Sequence, residues 1–201
     1  MEPEGAPVRV RTVAITGAVA FGASLMIFAL SLDTRLLGDQ SGYKPAQPIP
    51  YSHALHAGEL KMDCLFCHTS AENSRHAGIP PLSTCMKCHE TVLNRAGTPM
   101  GKSDPSPEIQ KLRDAYASGR GLAWVRIHRL PAHVTFPHSR HVRAGVACQS
   151  CHGEVQGMER VEQALALTMG ECLACHRAEN QKQQLAGKPA QAPTDCSACH
   201  H

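Results

Sequence analysis

Hydrophobic and polar positions fall in blocks along the chain. Residues 13–32 carry no charge, and as a helix they span about 30 Å, the thickness of a bilayer's hydrocarbon core. One transmembrane helix is predicted there. Arg9 and Arg11 precede it and Asp33 follows, so the positive-inside bias puts 1–12 in the cytoplasm and everything beyond the run outside. A cleaved signal peptide fits less well, because its apolar core is usually roughly 7–15 residues. Residues 33–50 read as a linker, rich in Gly and Pro from Gly38 to Pro50 and therefore extended. Further on, Ser106, Pro107 and Glu108 form an N-cap, a first-turn proline and a first-turn acid. Ile109, Leu112 and Tyr116 then share one face of a helix that ends near Gly119. The apolar stretch 122–130, with the only tryptophan, Trp124, predicts a short strand or an extended segment. Val161 to Leu167, dominated by helix formers, predicts another helix.

Composition changes this picture. Only 4% of the residues are aromatic, while there are 10 cysteines and 13 histidines; that is too little bulk for an ordinary core, so a bound cofactor is expected to replace it. All ten cysteines fall into five copies of Cys-x-x-Cys-His: Cys64, Cys67, His68; Cys85, Cys88, His89; Cys148, Cys151, His152; Cys172, Cys175, His176; Cys196, Cys199, His200. Five disulfides would use the same cysteines but need no histidine next; five such histidines would arise by chance about once in a million sequences. Tetrahedral zinc sites would need extra pairing between motifs. The pattern is the attachment signature of c-type haem, and it implies five covalently bound haem c groups, the thiols taking the vinyl carbons and the adjacent imidazole reaching the iron. The formal charge of +3 belongs to a chain without its cofactors; five haems bring roughly ten propionates, so no nucleic-acid partner is inferred.

The motifs assign His68, His89, His152, His176 and His200 as proximal ligands. Eight histidines remain: His53, His56, His76, His128, His133, His138, His141 and His201. Tyr51-Ser52-His53-Ala54-Leu55-His56 before Cys64 resembles Phe136-Pro137-His138-Ser139-Arg140-His141 before Cys148, an internal repeat. Residues three apart on a helical turn project on neighbouring sides, so each His-x-x-His can serve two irons. His53, His56, His138 and His141 are therefore expected as distal ligands, with His128 preferred as the fifth over His76, His133, Met158 and Met169. The repeat divides the remainder into 51–93 (first haem unit, two motifs), 94–130 (connecting segment with a helix) and 131–201 (second haem unit, three motifs). The expected fold is mainly α with much irregular coil, a multihaem cytochrome c with class III-like haem packing behind one N-terminal transmembrane helix. Mostly bis-histidine irons would sit at lower potential than His/Met irons and suit electron transfer without catalysis in this chain.

With those residues in place, the chain resembles the pentahaem cytochrome subunit of alternative complex III, a quinol:electron-acceptor oxidoreductase. The resemblance rests on Pro48–Gly58, Cys67–Ser70, Gly78–His89, Trp124–His128 and Leu167–Gly170. It implies a single-pass anchor in the bacterial inner membrane with its lipid, a periplasmic haem domain, and partners comprising an iron-sulfur subunit, polytopic quinol-binding membrane subunits and a monohaem cytochrome c. A stand-alone membrane-anchored quinol dehydrogenase is the rival reading. The sequence also departs from a similar subunit of the quinone reductase complexes of sulfate reducers, which usually carries a sixth haem site.

Overall fold

The computed structural model describes residues 8–31, 40–94 and 105–200, with backbone alone at 8–12, 14, 30 and 31. The chain divides into two compact units, Met1–Asp39 and Gln40–His201. In the first, a single helix, α1, runs Val8–Ser31. Val13, Ile15, Val19, Phe21, Leu25, Met26, Ile27 and Phe28 are all exposed on it. Among the described residues no helix is long and apolar enough to cross a membrane; unbroken description of α1 side chains covers only 15–29, which as a helix is about 22 Å.

The second unit consists of short helices in coil. They are α2 (Cys64–Cys67), α3 (Leu82–His89), α4 (Pro107–Ala117), α5 (His138–Arg143), α6 (Gln149–His152) and α7 (Met169–Leu185), with a π turn at Ala54–Glu59 and 3₁₀ turns at Thr69–Glu72, Val155–Gly157 and Cys196–Ala198. Among the described residues the β pairing is one isolated antiparallel bridge, Val134 with His200. The buried apolar side chains there are Ala71 and Leu112. A domain of this length ordinarily buries much more, and the deficit is the space a set of large cofactors would fill.

α4 forms as its sequence dictates. The Ser106 hydroxyl accepts from the Ile109 N–H at 3.3 Å, Pro107 takes the first turn, and Gly119 leaves the helix at φ +67°. The stretch 122–130 is extended rather than a strand. The Val125 N–H donates to Gln47 Oε1 at 2.9 Å and Gln47 Nε2 donates back to the Val125 carbonyl at 3.0 Å. The expected linker is therefore packed from Gln40 onward. The Gly42 N–H reaches the Gln163 carbonyl at 2.8 Å, Lys111 Nζ reaches the Pro48 carbonyl at 2.6 Å, and Lys44 pairs with Glu162 at 3.3 Å.

The expected helix over Val161–Leu167 does not form; helix α7 starts two residues later. Gln163 is fully buried. Its side-chain amide donates to the Leu165 carbonyl at 2.9 Å and accepts from the Arg129 N–H at 3.4 Å, and its backbone pairs with Gly42 and Tyr43. Satisfying a buried amide and the linker backbone outweighs the few tenths of a kcal/mol per residue of helix propensity. Leu167 then turns through φ +56°, and Thr168 with Glu171 makes a capping box that starts α7.

The sequence repeat recurs as packing. Tyr51 meets His53 edge-on at 4.8 Å and stacks on His56 at 4.5 Å; Phe136 meets His138 edge-on at 4.9 Å and stacks on His141 at 4.3 Å. Each His-x-x-His segment packs on the turn that follows the other repeat's motif, Ala54–Glu59 on Val155–Gly157 and α5 on Thr69–Glu72. The backbone bonds match: Ser139 N–H donates to Ser74, six residues beyond His68, and Ala54 N–H donates to Met158, six beyond His152. The two repeats thus embrace about a local pseudo-twofold. Gly58 lies in that contact, where a Cβ would run into the Gln156 carbonyl. Gly58→Ala is expected to cost about 1–3 kcal/mol through forced backbone displacement, read as a lower Tm of the holoprotein. Gly121→Ala, where a Cβ meets open space, should leave Tm near that of the parent.

Candidate haem sites

Each motif lies on a helical turn. Asp63 caps α2 by accepting the Leu65 N–H at 2.7 Å, and Asp195 starts the last motif by accepting the Ala198 N–H at 3.1 Å. The second motif ends α3, the third spans the start and end of α6, and the fourth sits inside α7. On such turns cysteines three apart are close neighbours, near enough to reach two vinyl carbons of one porphyrin. All ten thiols are free, so disulfides do not consume them.

The histidines are held in a repeated way. Nδ1 of His56, His68, His89, His138, His141 and His176 faces the backbone carbonyl of Ser52, Gly78, Val92, Arg75, Pro137 and Pro193, at 2.8, 2.7, 2.9, 2.9, 3.0 and 2.5 Å. A carbonyl only accepts, so Nδ1 carries the hydrogen and donates it, leaving the Nε2 lone pair free. That tautomer and that fixed ring are what an imidazole ligand to a metal needs. His53 Nδ1 is buried without a partner. Burial, with His68 and His56 nearby, lowers the His53 pKa to about 4, and burial with His128, His138 and His68 does the same to His152. Both rings are therefore neutral near pH 7.

Ring spacing tests whether an iron fits between them. Two metal–nitrogen bonds of about 2 Å, with roughly 1.1 Å from each nitrogen to its ring centre, put two axial imidazoles about 6 Å apart. The centroids of His56 and His89 are 6.1 Å apart, of His138 and His152 6.3 Å, of His141 and His176 6.1 Å, and of His133 and His200 5.4 Å. After burial, His68 is the strongest influence that lowers the His53 pKa. Donor chemistry, free Nε2 lone pairs and ring spacing all fit c-type haem.

The motifs also have neighbours. Beyond the effect of burial, Cys67 is raised in pKa by Cys88, Cys85 by Cys67, Cys64 by Cys148, Cys151 by Cys175 and Cys172, and Cys172 by Cys199. Cys64 and Cys148, brought near each other here, are the equivalent first cysteines of the two repeats. The neighbouring motifs are thus first and second, first and third, third and fourth, and fourth and fifth.

The preferred fifth distal candidate, His128, is not set opposite a motif histidine at iron spacing. Its ring is edge-on to His152 at 4.4 Å and 81°, with its Nε2 3.2 Å from His152 Nδ1, too close for an intervening iron. His133 faces His200 instead, carried there by the Val134–His200 bridge, a long-range pairing with no local signal. His76 and Met169 are exposed, Met158 gives its carbonyl to Ala54, and His201 lies outside the described residues.

Comparison with known proteins agrees with this chemistry. Residues 134–201 match the family described as cytochrome c7 and related cytochrome c. Over 190 residues the chain is 27% identical to the multiheme cytochrome c subunit of menaquinone reductase from Nitratidesulfovibrio vulgaris (strain Hildenborough), covering 85% of this chain and 86% of that protein. Its mainly helical second unit, its attachment motifs and these likenesses together support a multihaem cytochrome c with covalently bound c-type haem, similar to the cytochrome subunit of a menaquinone reductase.

Proposed function

We propose that this chain is the electron-relay subunit of a membrane quinol-oxidising complex of the alternative complex III type, with five haem c groups, each held between two histidines. The observation that carries this reading is the set of histidine rings facing each other at iron-sandwich spacing. The proximal and distal pairs in this reading are His68 with His53, His89 with His56, His152 with His138, His176 with His141, and His200 with His133. When bound, the haems supply one-electron redox chemistry. The motif cysteines would tether a cofactor the thin polypeptide could not enclose, and a second histidine for each iron would keep substrate off the metal, which separates a relay from a catalytic haem enzyme. The motif order offers a continuous path from the second motif to the fifth.

In this reading residues 13–32 anchor the chain in a bacterial inner membrane with the haem domain on the periplasmic side. Its partners are an iron-sulfur subunit, polytopic quinol-binding subunits and a monohaem cytochrome c. The relative's name favours a second reading, in which electrons run toward menaquinone. The test is purification of the native complex. The expected result is five haems per chain by pyridine haemochrome, low-spin signals throughout by electron paramagnetic resonance, and haem reduction on adding quinol. Net electron delivery to menaquinone, with no quinol oxidation, would support the second reading. Substantial high-spin haem, or quinol oxidation by the isolated chain, would overturn the relay.

A further inference from the structure

The first and third attachment motifs occupy equivalent places in the two repeats, yet their histidines are held differently. His68 Nδ1 donates to a backbone carbonyl, that of Gly78, at 2.7 Å. His152 Nδ1 instead faces another imidazole, Nε2 of His128, at 3.2 Å. Among the hydrogen bonds described for proximal histidines, those of His68, His89 and His176 end on carbonyls; that of His152 ends on a side chain.

We infer that His128 is a positioning residue for the third haem, accepting the Nδ1–H of His152 and setting that haem's reduction potential apart from its symmetry mate. This rests on the axial role proposed for His152. An iron bound through His152 Nε2 leaves the ring's hydrogen on Nδ1, so His152 donates and His128 accepts through Nε2, keeping its own hydrogen on Nδ1. An imidazole nitrogen is a better base than an amide carbonyl. It draws the shared hydrogen further from His152, raises electron donation to the metal and favours the ferric state. The two ring planes stand at 81° to each other, and the 3.2 Å nitrogen–nitrogen separation lies at the outer edge of hydrogen-bond reach. His128 is held in turn by its neighbours: Arg126 Nε donates to the His128 carbonyl at 3.1 Å, and the next residue's N–H, Arg129, donates to the buried Gln163 side chain.

The experiment is a spectroscopic redox titration, at one fixed pH, of the holoprotein and of His128→Leu and His128→Gln. In His128→Leu all five haems should remain low-spin while one potential rises and four stay in place. In His128→Gln, whose side-chain carbonyl restores an acceptor of the Gly78 kind, the same haem should rise by less; this variant carries the test if the leucine variant does not fold. Five unchanged potentials in a folded variant would overturn the inference. So would the appearance of one high-spin haem, which would make His128 an iron ligand. Failure of the underlying relay reading would appear separately, as high-spin haem in the unsubstituted protein.

Discussion

Replacing His133 by leucine is expected to turn one of five low-spin haems high-spin, while the same change at His128 leaves the spin state of all five untouched. The contrast follows from spacing. His133 and His200 lie with centroids 5.4 Å apart and planes 20° apart, near the separation two axial imidazoles take about one metal. His128 is 4.4 Å from His152, and an iron cannot enter that gap. His133 is itself exposed and its segment is held by backbone, Val134 bridging to His200 and Thr135 N–H donating to the Cys199 carbonyl at 2.7 Å. The substitution should therefore leave the fold intact, with a stability change of about 1 kcal/mol or less. A high-spin feature in the electron paramagnetic resonance spectrum, integrating to one haem in five, is the expected readout. Its appearance with His128→Leu instead would restore His128 as the distal ligand.

This contrast also marks the boundary of what the amino-acid order reveals. The attachment motifs and the two His-x-x-His pairs are legible because their chemistry is local: thiols three apart on one turn, an imidazole beside them, and a repeat that announces itself in sequence. α4 is legible for the same reason, since cap, proline and apolar face are all contained in 106–119. Three features are not local. Val161–Leu167 has helix-forming composition, yet Gln163 is drawn into the interior by Gly42, Tyr43 and Arg129, residues more than thirty positions away. Gly38–Pro50 reads as a free spacer because Gly and Pro dominate it, while Gln47 and Pro48 find partners on Val125 and Lys111. His133 reaches His200 through a bridge between segments 66 positions apart. In each case a distant backbone group decides the outcome.

The reciprocal embrace of the repeats leads to the second large effect. The first motif neighbours the second through Cys67, Cys85 and Cys88, and the third through Cys64 and Cys148. Cys64→Ala with Cys67→Ala should remove one haem of five and split the path into a single site at the second motif and a run of three. In the native complex mixed rapidly with quinol, one of these groups should then lose nearly all of its fast reduction phase while the other keeps it. The group that keeps it identifies the end where electrons enter. Cys196→Ala with Cys199→Ala also removes one haem, but from the end of the order, so the other four should all retain the fast phase. Both variants need the remaining haems to stay low-spin, which guards against a disturbed fold. If the first-motif variant kept fast reduction of all four remaining haems, the linear order would be wrong and the second motif would have another route to the rest.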